Sequence, residues 1–114
     1  MGASYRLNTF GFATLDGSGA GRVMLQPDGT ERWHITRYAV TTDQGTNTQP
    51  IPLCSLYTDF PEAGNEYDVT YTGNADSGDG DLWLEKGQQF WAVWTGGIPG
   101  SIGTLSLYGE RVLY

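Results

Sequence analysis

Asp81-Leu82-Trp83-Leu84-Glu85-Lys86-Gly87-Gln88-Gln89-Phe90-Trp91-Ala92-Val93-Trp94-Thr95 carries three of the four tryptophans and reads as two short strands around a tight turn. A three-residue turn of Lys86, Gly87 and Gln88, with the glycine at positive φ, sets Glu85 opposite Gln89 and fixes every later pair by the two-residue side-chain period. In that hairpin Leu84 faces Phe90, Leu82 faces Ala92 and Trp83 falls opposite Trp91. One side then holds Leu82, Leu84, Phe90, Ala92 and Trp94, and the other holds Trp83, Trp91 and Val93. Both sides are apolar. Because an antiparallel ribbon normally turns one side to water, the second must be covered by another sheet, a long loop or a partner chain.

The rest of the chain agrees with strands. Its 114 residues suffice for one domain with a single core, spanning 1–114. Seventeen glycines, five prolines and fifteen aromatic residues stand beside a single lysine, the usage of short strands separated by turns. A formal charge of −7, with six scattered basic residues, argues against nucleic-acid binding, which needs clustered Lys and Arg. With no apolar run of membrane-spanning length and no signal-peptide pattern, we expect a soluble product made in a cytoplasm, with no membrane partner. Cys54 is the only cysteine, so an internal disulfide is excluded. Between Leu53 and Leu56 it reads as a small buried hydrophobe.

Eight strand candidates follow at intervals of about ten residues: 5–15, 21–26, 31–42, 52–58, 66–72, 81–85, 89–95 and 101–112. The first has mixed phase, with Phe10 and Phe12 on one side and Leu7, Ala13 and Leu15 on the other, which suggests a bulge near Gly11. Residues 27–30, Pro-Asp-Gly-Thr, read as a hairpin closure. In 31–42, Trp33 and Ile35 share one parity and Tyr38 and Val40 the other. A one-residue slip at Thr36 and Arg37 brings all four to one face. His34 lies on the polar side as a partly exposed strand residue. Pro50 and Pro52 place 52–58 at a sheet edge. Residues 73–80 read as a loop. Its Asn74, Asp76 and Asp79, with Asp81, form a candidate site for calcium, against the alternative of a solvated turn whose side chains cap their own backbone. No other cofactor is expected.

Strands at this spacing indicate a two-sheet sandwich or a closed barrel, and we expect an all-β, single-domain β-sandwich. Eight of them have the jelly roll as their natural arrangement, with an immunoglobulin-like sandwich as the alternative that periodicity leaves open.

The run Trp91-Ala92-Val93-Trp94-Thr95-Gly96-Gly97-Ile98-Pro99-Gly100, followed by Gly103-Thr104-Leu105-Ser106-Leu107-Tyr108-Gly109, resembles the finish of small virion proteins of tailed phages that infect actinobacteria. Tyr71-Thr72-Gly73-Asn74-Ala75-Asp76 is similar to the stretch preceding that finish, and Gly21-Arg22-Val23 and Arg32-Trp33-His34-Ile35-Thr36-Arg37 look like the family's early strands. The resemblance implies an accessory head or tail component, a bacteriophage structural protein assembled in the host cytoplasm. It brings no catalytic motif.

Three functions are weighed on these grounds. The first is a non-enzymatic capsid decoration protein that forms a homo-oligomer, with a trimer favoured, on the virion surface, against the major capsid protein. Trp83, Trp91 and Val93 are its candidate interface. The second is a tail-associated module that binds host-surface glycan on exposed aromatic rings, for which a cluster of Tyr57, Tyr67 and Tyr71 would speak. An enzyme is the third. No Gly-x-Ser-x-Gly, no His-Glu-x-x-His and no second histidine is present, so no catalytic residue is assigned.

Overall fold

A computed structural model describes residues 4–44, 49–70 and 75–113. It contains eight strands: β1 (Ser4–Thr14), β2 (Gly21–Leu25), β3 (Glu31–Thr42), β4 (Leu53–Thr58), β5 (Glu66–Thr70), β6 (Ala75–Leu84), β7 (Phe90–Thr95) and β8 (Ile102–Leu113). A sheet of long strands has the order β1-β8-β3-β6 and a sheet of short strands the order β2-β7-β4-β5, with every pair antiparallel. Successive strands switch sheets except between β4 and β5. That is the double-sheet jelly roll, so the all-β sandwich expected from strand spacing is the fold.

The same topology corrects the opening hairpin. β6 pairs with β3, through Trp33 with Leu84 and His34 with Trp83, whereas β7 lies between β2 and β4. The turn at 85–89 exists, with Gln88 N donating to Glu85 O at 3.0 Å and Gly87 at φ 86°, but it carries the chain across the sandwich. Leu84 and Phe90 therefore lie in opposite sheets, both fully buried. The division into two sets was right and the pairing was not. Leu82, Leu84, Phe90, Ala92 and Trp94 face inward, while Trp83, Trp91 and Val93 face out, on two different outer surfaces. The turn at 27–30 is a second crossing, held by Asp28 Oδ1, which accepts from Thr30 N and Oγ1.

The slip in β3 is where parity placed it. The register shifts between Ile35 and Arg37 against both neighbours, and Trp33, Ile35, Tyr38 and Val40 are all buried. Other expectations fail for identifiable reasons. β1 has no bulge, since its register with β8 runs unbroken from Ser4↔Val112 to Thr14↔Ile102. Its mixed phase arises because Phe10 and Phe12 are on the outside, 63% and 65% exposed. β4 is internal rather than at an edge: Pro52 precedes the first ladder residue, is buried, and removes no ladder donor.

Residues 75–80 are strand, not loop, despite their poor β propensity. A Cβ on Gly78 would sit 2.5 Å from Tyr38 Cζ, and one on Gly80 would sit 2.3 Å from the Tyr67 hydroxyl. These glycines give two tyrosines room between the sheets. Tyr67 meets Tyr38 and Phe90 edge-on, with centroids 5.9 and 5.8 Å apart, and the Tyr38 hydroxyl donates across the sandwich to Asp68.

Candidate functional site

The outer face of the short sheet follows from its ladder. Met24, Trp91, Tyr57 and Glu66 form one cross-strand row; Arg22, Val93, Ser55 and Val69 form the next; Thr95 and Leu53 form a third. Inward residues of the same strands fill the core, so alternation sends this apolar set outward. Phe60, 53% exposed in the β4–β5 connection, meets Trp91 edge-on at 5.8 Å, with the Arg22 guanidinium 5.9 Å from its ring. Trp91 Nε1 donates to Gln89 Oε1 at 2.9 Å, which fixes the indole. Arg22 and the exposed Glu66 are the charged residues in the three rows.

Of the three candidate interface residues, the fold brings Trp91 and Val93 together here and puts Trp83 on the opposite surface. There the Trp83 ring stacks on His34 at 4.4 Å and 4°, and the Arg32 guanidinium lies 4.9 Å from it. His34 Nε2 is 2.5 Å from Asp81 Oδ1, and Arg32 pairs with Glu85 at 3.5 Å. His34 is thus held by two residues of the neighbouring strand, Trp83 and Asp81. Trp83 remains 42% exposed.

The candidate calcium ligands are not brought together. Strand alternation turns Asp76 inward and Asp79 and Asp81 outward, and Asn74 lies outside the described residues. Among the described residues no three carboxylate, histidine or cysteine groups converge on a metal position. The tyrosine cluster is divided as well: Tyr57 is on the outer face, Tyr67 is between the sheets, and Tyr71 lies outside the described residues. Cys54 is fully buried, and burial pushes its thiol up to about 12, so it is a core side chain.

Sequence reasoning missed two features. Tyr57, Met24 and Leu53 join the outer face only through cross-strand pairing, although the alternation of Leu53, Ser55 and Tyr57 against Cys54 and Leu56 already put them on one side. A cavity of about 320 Å³ also opens at one end, lined by β1, β3 and β8. In it Trp33 Nε1 donates to buried Glu31 Oε1 at 2.8 Å, and Arg111 Nη1 stands 3.9 Å from Glu31 Oε2. Residues two apart in a strand share a face, which was the available signal.

Fold and surface together define a jelly-roll β-sandwich whose short sheet has a largely apolar outer face. No protein-family model matches the chain, and comparison with curated proteins finds no relative.

Proposed function

We propose that this chain is a non-enzymatic assembly protein that seats the outer face of its short sheet on a larger protein surface, and specifically that it is a capsid decoration protein of a tailed phage. The observation that carries the assembly reading is the run of Met24, Trp91, Tyr57, Val93 and Val69 on one sheet face, with charge confined to Arg22 and Glu66 at the two ends of the rows. The virion setting rests on the resemblance of residues 91–109 to phage accessory proteins.

Magnitudes explain why such a protein would work in several copies. Four strands at ~4.8 Å spacing and about five residues at ~3.3 Å give a face of roughly 300 Å² in projection, at the lower end of the largest apolar patch found on a typical monomer. At about 25 cal/mol per Å² this is about 7 kcal/mol before association costs of about 4–15 kcal/mol are subtracted. One face alone is near break-even. Linked copies on a repeating shell convert that margin into stable attachment.

The test measures binding to emptied phage heads together with mass in solution. We expect the wild type to bind and Trp91→Ser and Val93→Ser to lose binding while keeping the native circular dichroism spectrum. A monodisperse monomer with no affinity for heads would remove the reading.

A second reading has its own observation: the exposed Trp83 indole beside Asp81, His34 and Arg32, the kind of ring-plus-polar platform a glycan module uses. Saturable quenching of tryptophan fluorescence by cell-wall polysaccharide, abolished by Trp83→Ala, would move the assignment there.

A further inference from the structure

We propose that two copies of this chain join along the free edge of β1, antiparallel about Gly11, to form one continuous eight-stranded sheet. The inference does not depend on a virion role. It starts from a comparison of the four edge strands.

Sheet edges invite pairing with other chains, and natural proteins blunt them with short strands, charges, bulges or proline. Three edges here are blunted. β2 and β5 have five residues each, β5 is bulged against β4, and β6 carries Asp76, Asp79 and Asp81. β1 has none of these devices. It runs for eleven residues without proline or bulge, has β8 as its sole sheet neighbour among the described residues, and bears one charge, Arg6. Phe10 and Phe12 stand on it as the two most exposed large apolar side chains among the described residues.

The direction of the free backbone groups is fixed. Leu15 N donates to Ser101 O at 2.8 Å, and Leu15 O accepts from Gly100 N at 2.9 Å, so odd-numbered β1 residues aim their amides and carbonyls at β8. By ladder alternation the N–H and C=O groups of Asn8, Phe10, Phe12 and Thr14 point away from the sheet. A second β1 laid antiparallel with its two-fold axis at Gly11 sets Phe10 opposite Phe12 of the other copy, Phe12 opposite Phe10, and Asn8 opposite Thr14. All of these are outward-pointing residues, so each pair closes both of its backbone hydrogen bonds. The four phenylalanine rings meet across the new seam on one face, the packing that stabilises antiparallel pairs.

Charge selects a second copy over an unrelated strand. The same register puts Arg6 of each chain beside Asp16 of the other, an opposite-charge pair made twice by symmetry. Asp16 Oδ1 is occupied by Ser18 and Ala20, and none of those bonds uses Oδ2. No like charges are brought together along the strand. An isologous contact of this kind closes at two copies, in contrast to the trimer favoured from sequence.

Sedimentation equilibrium on the full chain tests it. The wild type should run at twice 12.4 kDa. Phe12→Pro removes only an outward donor and spares the β8 ladder, so it should leave a folded monomer with the dissociation constant raised by more than about 100-fold. Phe10→Lys with Phe12→Lys should do the same with the backbone unaltered, and decides the matter if the proline variant fails to fold. Val93→Lys, on the other sheet, should leave the dimer intact. In hydrogen exchange the amides of Asn8, Phe10, Phe12 and Thr14 should gain protection as concentration rises. A wild-type monomer at several hundred micromolar, a three-copy mass, or a dimer that survives both edge variants would overturn the proposal. So would protection of those amides only on adding an extended peptide of another protein.

Discussion

Tyr38 closes one side of the sandwich. It reaches from β3 in one sheet to Asp68 of β5 in the other, and its ring occupies the space left by the missing side chain of Gly78. Gly78→Val should therefore cost about 1–3 kcal/mol of stability through overpacking, and Tyr38→Phe about 1 kcal/mol through the lost hydrogen bond, both read from urea unfolding midpoints. Burial and the bond to Asp68 raise the ionisation of Tyr38 above the ordinary tyrosine range, and burial holds Cys54 at about 12. Both groups are charged only when deprotonated, and both are raised in the folded state. Their contribution is thus complete below the unfolded values, roughly 9 for the thiol and 10 for the phenol, and drains away as pH climbs through the folded ones. Stability should fall from about pH 9 upward, by at most about 1.4 kcal/mol per pH unit for each group. A Cys54→Ala, Tyr38→Phe double variant should show a shallower decline, and an equal slope would contradict the account. None of this was readable at Gly78 and Gly80. A Gly-Asp repeat has the composition of a turn, and what makes it strand is a pair of tyrosines, one forty positions back and the other thirteen.

At the level of elements, the bulge in β3 depends on a glycine in β8. A Cβ on Gly109, at φ 153°, would lie 1.9 Å from the carbonyl oxygen of His34, which belongs to backbone and has no flexible side chain to yield. Gly109→Ala should cost about 3 kcal/mol or more. Gly17→Ala, in open space, should stay within about 0.5 kcal/mol, and denaturant melts of the two variants side by side check both. The bulge itself was legible because it is a local event: Trp33 and Ile35 against Tyr38 and Val40 cannot share a face without a slip. The β6–β7 crossing was not. A hairpin and a sheet-to-sheet arch bury the same residues, Leu82 and Leu84 with Phe90, Ala92 and Trp94, so periodicity cannot separate them. The jelly-roll order does separate them, since it sends these consecutive strands to opposite sheets. For the outer face of the short sheet, parity within each strand was in the sequence, and the cross-strand row from Met24 through Trp91 to Tyr57 was not.

For the whole molecule, a net charge of −7 on a body 25 Å across in its second dimension sets the terms on which copies meet. Treated as point charges about 25 Å apart in water, two copies repel by about 3 kcal/mol at 10 mM ionic strength and by a few tenths of a kcal/mol at 150 mM. Against this, each exposed Arg6–Asp16 pair across the proposed β1 seam contributes about 0.2–1 kcal/mol, and it too is screened by salt. The repulsion is the larger effect at low salt, while ladder hydrogen bonds and the packing of Phe10 and Phe12 are largely indifferent to ionic strength. Self-association should therefore tighten by roughly ten- to a hundredfold between 10 and 150 mM salt, following about 1.4 kcal/mol per factor of ten, as read from sedimentation at each ionic strength. Neutralising Asp16 by Asp16→Asn should change the tightening only slightly, because losing one charge of seven weakens the screened repulsion while losing the ion pair removes a screened attraction that opposed it. An association that instead loosened as salt rose would mean that paired charges, and not an apolar β ladder, hold the copies together.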